Sequence, residues 1–328
     1  AQLAFDFANS QNITLTPDQA DELGRSARQH PRLIEFAIGQ LHETPYRTVI
    51  RRLETLNHAD TEAALYDIII KTLEQMRDTA PNGNLAYDLI HNMTWLQGTF
   101  PLDAVNALKP TTITDEDLLI DALTTLQRYQ FVRYDPITER YRLEPLVVET
   151  LGVPQDDRLF GKYALYYTTC ASRIFRDLPP EQWHEHDADM PNIAYLGEQL
   201  MANISQDRVD DYQRMRWFAK ATIRYVARRA EARAGAWVQV GLQAVQALKA
   251  RQRGSRQQRE LTKDEAIFYN NLGFIHSISG EHQQALDCYQ QALALNVETN
   301  SIGGEALALV TGHLVQHRAF AMHHFIVR

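Results

Sequence analysis

The strongest constraint on how this chain can fold is a spacing of large, small and aromatic residues that begins near Ala266. Tyr269-x2-Leu272-Gly273-x2-His276 is followed by Ala285-x3-Tyr289 and then Ala292. Read at three- and four-residue intervals, this predicts two amphipathic helices broken at Gly280. Gly273 and Ala285 are small enough for the two backbones to approach, and Leu272 and Tyr289 are large enough to fill the space beside the contact. Thr262-x-x-Glu265 reads as a capping box opening the first helix.

From Asp156 onward helical patterns alternate with short breaks at Pro179-Pro180, Gly235, Arg253-Gly254-Ser255 and Gly280, and paired helices of this length stack into a solenoid. The 266–297 spacing resembles the tetratricopeptide repeat, with Val297 where that repeat often carries proline. Tyr212 to Arg229 and Ala232 to Lys249 read as a degenerate earlier pair, with Ala244 and Leu248 in similar places. The stretch from Gly303 to Arg328 is weaker. A solenoid ending there exposes an apolar face, which predicts further repeats in the natural protein or self-association.

The first half reads differently. Thr16-Pro17-Asp18-Gln19 supplies a capping hydroxyl, a proline for the first helical position and a glutamine to close the box, so a helix opens at Pro17. Leu23 and Ala27, then Leu33, Ile34, Ala37, Ile38 and Leu41 beyond a break at His30-Pro31, give short bundle helices over 1–60. Over 61–155, stripes through Leu65 to Leu73 and Leu85 to Leu96 are followed by a short helix over Pro101 to Leu108 and one capped by Thr114 that ends near Tyr129. Phe131 to Tyr134, a turn at Asp135 to Thr138, and Glu139 to Leu143 form the strand signal, so these helices closed by a hairpin describe a winged-helix unit. The expected fold class is mainly α: a small helical bundle, a winged-helix unit with one β-hairpin, and a tetratricopeptide-like α-solenoid over 156–328.

Charge and chemistry narrow the function. The net charge is -8, yet residues 201 to 260 hold 13 Lys/Arg against 5 Asp/Glu, a local +8. Arg224, Arg228, Arg229, Arg233, Arg251, Arg253, Arg256 and Arg259 make this stretch the candidate for nucleic-acid binding. The helix from Thr114 carries Asp115, Glu116, Asp117 and Asp121, the wrong sign for phosphate. No Gly-rich loop ends in Gly-Lys-Ser/Thr, and Gly161-Lys162 reads as ordinary helix surface, so no catalysis and no cofactor are expected of this segment. His184 and His186, like His313, His317, His323 and His324, read as surface or packing histidines with no metal. Cys170 and Cys288 lie too far apart to suggest a disulfide framework, and no apolar run spans a bilayer, so the chain is expected in the cytoplasm. It starts at Ala1, which suggests a piece of a longer polypeptide.

The order of parts resembles the C-terminal two-thirds of signal-transduction ATPases with numerous domains, the class that includes NB-ARC proteins. Gln29-His30-Pro31-Arg32-Leu33 looks like that family's Gly-x-Pro-Leu segment, and Tyr141-Arg142-Leu143-Glu144-Pro145-Leu146-Val147 looks like the end of its winged helix. Asp187 to Leu200 resembles its entry into the repeats. The resemblance implies that His30, Pro31 and Glu144 lie near a nucleotide, ATP or ADP, held by an upstream domain of a full-length ATPase. Glu144 stands where the family has histidine, and its charge disfavours a nearby diphosphate. The repeats would take a protein or peptide in a groove lined by Ile267, Asn270, Asn271, Phe274 and Ser277. Two alternatives stay open: a free-standing scaffold, and nucleic-acid binding through helices 224–259.

Overall fold

The computed structural model describes residues 1–10, 12–41, 44–55, 61–204, 207–229, 232–252 and 254–313. The chain divides into two compact units, Ala1–Tyr163 and Ala164–Arg328. It is predominantly helical with one small sheet.

The first unit begins with α1 (Gln2–Ser10), α2 (Pro17–Ser26), α3 (Pro31–Gln40) and α4 (Tyr46–Thr55). The expected capping box opens α2: Thr16 Oγ1 accepts from the Gln19 N–H at 3.3 Å and Gln19 Oε1 accepts from the Thr16 N–H at 2.9 Å. α1 has no such punctuation; it is held by Ala4 and Ala8, buried one turn apart. α5 (Thr61–Thr79), α6 (Gly83–Met93), β1 (Thr99–Phe100), α7 (Leu102–Leu108), α8 (Glu116–Arg128), β2 (Val132–Asp135), β3 (Arg140–Leu143) and α9 (Pro145–Leu151) follow, and α10 (Asp157–Ser172) starts in this unit. Phe36 of α3 packs on Phe131 with ring centroids 5.5 Å apart, and Gln40 donates to Thr72 Oγ1 at 2.9 Å, tying the opening helices to α5 and the hairpin.

Two expectations are corrected here. The sheet has three strands in the order β1-β3-β2, all antiparallel, so the hairpin is not alone. β1 is two residues long, too short for alternation, and it is held to β3 by Arg140, whose guanidinium donates to the Thr99 carbonyl at 2.9 Å and hydroxyl at 3.0 Å. Asp115, not Thr114, caps α8: its Oδ1 accepts from the Leu118 N–H at 2.9 Å, while Thr114 donates its hydroxyl to Asp115. The turn falls where expected, with Asp135 accepting from the Ile137 N–H and the Thr138 hydroxyl.

In the second unit a π-helical turn at Arg173–Asp177 and a 3₁₀ segment at Pro180–Asp189 lead to α11 (Met190–Asn203). α12 (Val209–Arg229), α13 (Ala232–Arg251), α14 (Ser255–Ile278) and α15 (His282–Glu298) then run up and down, and a further helix covers 302–313. Residues 262–295 form two antiparallel helices joined at Gly280, whose φ of 81° suits glycine. A Cβ on Gly273 would stand 2.8 Å from Cε1 of Tyr289, and Ala285 is fully buried beside it. The same economy recurs upstream, where a Cβ on Gly241 of α13 would meet Ala219 of α12 at 2.5 Å, and one on Gly197 of α11 would meet the Trp237 ring at 2.5 Å.

Gly235 lies inside α13 and breaks nothing. Thr262 and Glu265 form no capping box: α14 starts at Ser255, Thr262 bonds back to the Gln258 carbonyl at 2.9 Å, and Glu265 is taken by Lys249 at 2.5 Å. The helix over 302–313 packs on α15 with Ala308 buried, and a Cβ on Gly312 would stand 3.8 Å from the Tyr289 Cβ, so the stack goes on past the clear pair.

Candidate functional site

α14 sorts its side chains by direction. Ala266, Phe268, Leu272 and Gly273 are buried against neighbouring helices, while Ile267 (42% exposed), Phe274 (39%) and Ile278 (46%) face solvent along one stripe. Asn270, Asn271 and Ser277 are half-buried beside them. The Asn271 amide donates to the Ile267 carbonyl at 2.8 Å, whereas Asn270 Oδ1 is buried with no hydrogen-bond partner among the described residues. The five residues expected to line a groove therefore share one side of α14, and Ile278 belongs with them. Its place on the last turn hid it from the repeat register.

α12 lies beside α14 because Asp264, buried on α14, pairs with Arg216 at 2.5 Å and Lys220 at 2.6 Å. This brings Trp217, 53% exposed, to the same side. No pattern in the sequence singled out Trp217 or Lys220, since the carboxylate that orients them lies 44 to 48 residues away.

Among the described residues of the basic stretch, Arg224 stands apart from Arg251, Arg256 and Arg259. Arg224 donates to the Arg176 carbonyl at 2.7 Å near the end of α12. Arg251 pairs with Asp207 and covers the Tyr212 ring, Arg256 lies 3.7 Å from Glu260, and Arg259 donates to the Thr299 carbonyl at 2.9 Å. These last three sit by the start of α12, so fifteen residues of helix, about 22 Å, separate them from Arg224. Arg253 lies outside the described residues, as do the side chains of Arg228, Arg229 and Arg233. The exposed side of α8 carries Asp117 and Asp121.

Among the described residues no three His, Cys, Asp or Glu side chains converge as metal ligands. His184 meets the Glu181 carbonyl at 2.7 Å and His186 lies 3.9 Å from Asp189; His317, His323 and His324 fall outside the described residues. Cys170 is buried and Cys288 half-buried, and burial pushes the Cys288 thiol up from its ordinary pKa. Lys162 donates to the Lys109 carbonyl at 3.0 Å, a packing role on the flank of α10.

The first unit holds a charged cavity of about 220 Å³ lined by Arg32, Glu35, Arg133, Arg142, Leu143, Glu144 and Pro145. The register pairs Arg133 with Arg142 across the hairpin, a like-charge pair that is destabilising by itself. Glu35 binds Arg133, and Glu144 approaches it at 3.7 Å. Burial raises the Glu144 pKa, with Arg133 opposing. Arg32, beside Pro31, and Glu144 thus meet at one cavity although 112 positions separate them; His30 and Pro31 are not among its lining, and His30 is the uncapped residue before α3.

The helices of the second unit, packed side by side, are consistent with the class of helical solenoids. More narrowly, residues 266–297 match the tetratricopeptide repeat family, a repeat of protein–protein interaction scaffolds. No curated protein and no solved structure matches the chain. Among the described residues no helix is long and apolar enough to cross a membrane.

Proposed function

We propose that this chain is a protein-interaction module that holds an extended segment of a partner along the face shared by α12 and α14, and that it catalyses no reaction of its own. One observation carries this: α14 of the matched repeat packs Ala266, Phe268 and Leu272 against its neighbours and still turns Ile267, Phe274 and Ile278 outward in a row. Large apolar side chains grouped on an otherwise packed helix mark a contact surface. The test is selection from a displayed library of random peptides on the immobilised full chain. Enrichment should vanish with Ile267→Glu combined with Phe274→Ala at unchanged helix content; enrichment that survives both changes refutes the assignment.

A finer reading makes the first unit a winged helix that restrains an upstream nucleotide-binding domain, as in the signalling ATPases the sequence resembles, with the repeats sensing the partner that releases it. The order α6-β1-α7-α8-β2-β3 supports this, as does the meeting of Arg32 and Glu144 at one cavity. Three arginines against two carboxylates also offset the conflict between Glu144 and a diphosphate. A phosphate-binding loop encoded upstream of Ala1 is the expected finding. Its absence from the full coding sequence removes this reading and leaves a free-standing scaffold.

A further inference from the structure

We infer that the segment bound on the α12–α14 face is acidic and carries aromatic or branched aliphatic anchors. The inference rests on the peptide-binding reading above and specifies its partner.

α13 returns the chain between α12 and α14, so those two run in the same direction, and the Asp264 pairs fix the edge along which they meet. At 100° per residue, Trp217 and Arg224 stand about 60° to one side of that edge on α12. Ile267 and Phe274 stand about as far to the opposite rotational side of Asp264 on α14. Because the edges face each other on parallel helices, the two displacements bring both sets to one common side.

Charge on that side is positive. Asp264 faces two cations, Arg216 and Lys220, which leaves one positive charge in the seam. Arg224 adds another and, among the described residues, commits one of its five N–H donors to the Arg176 carbonyl. Lys263 is exposed on α14. Asp210 and Glu260 fall near the ends, and Glu260 has Arg256 3.7 Å away. A positive strip on a chain of net charge -8 attracts an acidic segment and repels a basic one. Trp217, Ile267, Phe274 and Ile278 flank it at 39 to 53% exposure, ready to bury anchor side chains. Nucleic acid fits less well, since Ile267 and Ile278 offer bases no stacking plane and Asp264 sits beside the cations.

Trp217 is a natural reporter. The other tryptophans, Trp95, Trp183 and Trp237, are at most 5% exposed, so a soluble quencher acts chiefly on Trp217. The probes are synthetic peptides of about 12 residues, the length of an extended segment lying along these helices. One alternates Glu and Asp with Phe and Leu; a second carries Lys in place of the acids; a third carries Ser in place of the apolar residues. A single-stranded oligonucleotide of matching charge completes the set. The first peptide should shield Trp217 from acrylamide, with an effect that weakens as salt is raised. Its affinity should drop roughly tenfold or more with Lys220→Glu and Arg224→Glu together, and by a smaller factor with the gentler Lys220→Gln and Arg224→Gln pair, which guards against misfolding beside Asp264. Equal shielding by the lysine peptide overturns the acidic assignment and leaves peptide binding standing. Equal shielding by the oligonucleotide overturns it in favour of a polyanion site, and equal shielding by the serine peptide removes the anchors. If no probe shields Trp217, both the inference and the reading beneath it fail.

Discussion

Replacing Gly273 by alanine sets two known effects against each other. Alanine is favoured over glycine inside a helix by about 0.8–1 kcal/mol. Its Cβ, however, would stand 2.8, 2.9 and 3.0 Å from Cε1, Cδ1 and Cζ of Tyr289. Relaxed carbon contacts lie at about 3.5–4.0 Å, so the ring or the helix must give by roughly 0.5–1 Å. The ring has little room to do so, because Tyr289 is 4% exposed and Gly312 of the next helix faces its Cβ. Overpacking of this kind costs about 1–3 kcal/mol, so Gly273→Ala should destabilise by about 1 kcal/mol net. At a urea dependence of about 1–3 kcal/mol/M, the midpoint of the second unit's unfolding, followed by helix ellipticity, should fall by roughly 0.3–1 M. Tyr289→Ala alone should cost about 3–4 kcal/mol. In that background the added methyl meets no ring, so Gly273→Ala should become stabilising, with a coupling of about 2 kcal/mol. A single variant with a raised midpoint, or a coupling near zero, would refute the claim that this glycine sets the approach of α14 to α15.

Other perturbations follow from the same contacts. Asp264→Asn leaves Arg216 and Lys220 facing a neutral amide and should cost about 2–3 kcal/mol, toward the low end because Lys220 reaches water; adding Arg216→Gln and Lys220→Gln should recover part of the loss in urea unfolding. Thr16→Ala removes the hydroxyl arm of the α2 box, leaving the backbone N–H on Gln19, and should cost about 1 kcal/mol in the first unit's urea unfolding. Burial holds the Glu144 pKa above its unfolded value, so the folded chain binds that proton more tightly and this carboxyl's contribution to stability is lost as pH rises through the interval between the two values. Glu144→Gln, which cannot ionise, should therefore gain on the parent as pH goes from about 4 to about 7, and a urea-midpoint difference that is flat or opposite in slope rejects this.

Local signals were plain in the sequence where one segment supplied both partners. Thr16 and Gln19 cap each other, and the turn residue Asp135 finds its donors within three positions. Signals failed where a distant residue competed. Thr262 and Glu265 have the letters of a capping box, yet Lys249 draws Glu265 away once α13 lies alongside. β1 exists only because β3 and Arg140 offer an edge and two donors some 41 residues later. The charged cavity was legible only in fragments, as Arg32 and Glu144 stood out in separate stretches, Arg133 and Arg142 read only as strand positions, and Glu35 belonged to no pattern.

The proposed binding face shows the same division within a single surface. In the clear repeat, the small residue is on the first helix, Gly273, and the aromatic on the second, Tyr289; register then assigns one side of α14 to its pair, another to its neighbour, and the remainder, Ile267 and Phe274, to solvent. The earlier pair makes an equally close approach with the small residue on the second helix, Gly241 against Ala219, while Phe268 of α14 closes over the same spot. What packing requires is that the sizes at the contact add up, not that a given helix carries the small one. Copying the register of α14 onto α12 therefore points at the wrong side chains. Asp264 decides the orientation of α12 instead, and with it the exposure of Trp217. A repeat array can thus vary which residues it presents on one face while conserving only the summed bulk between its helices.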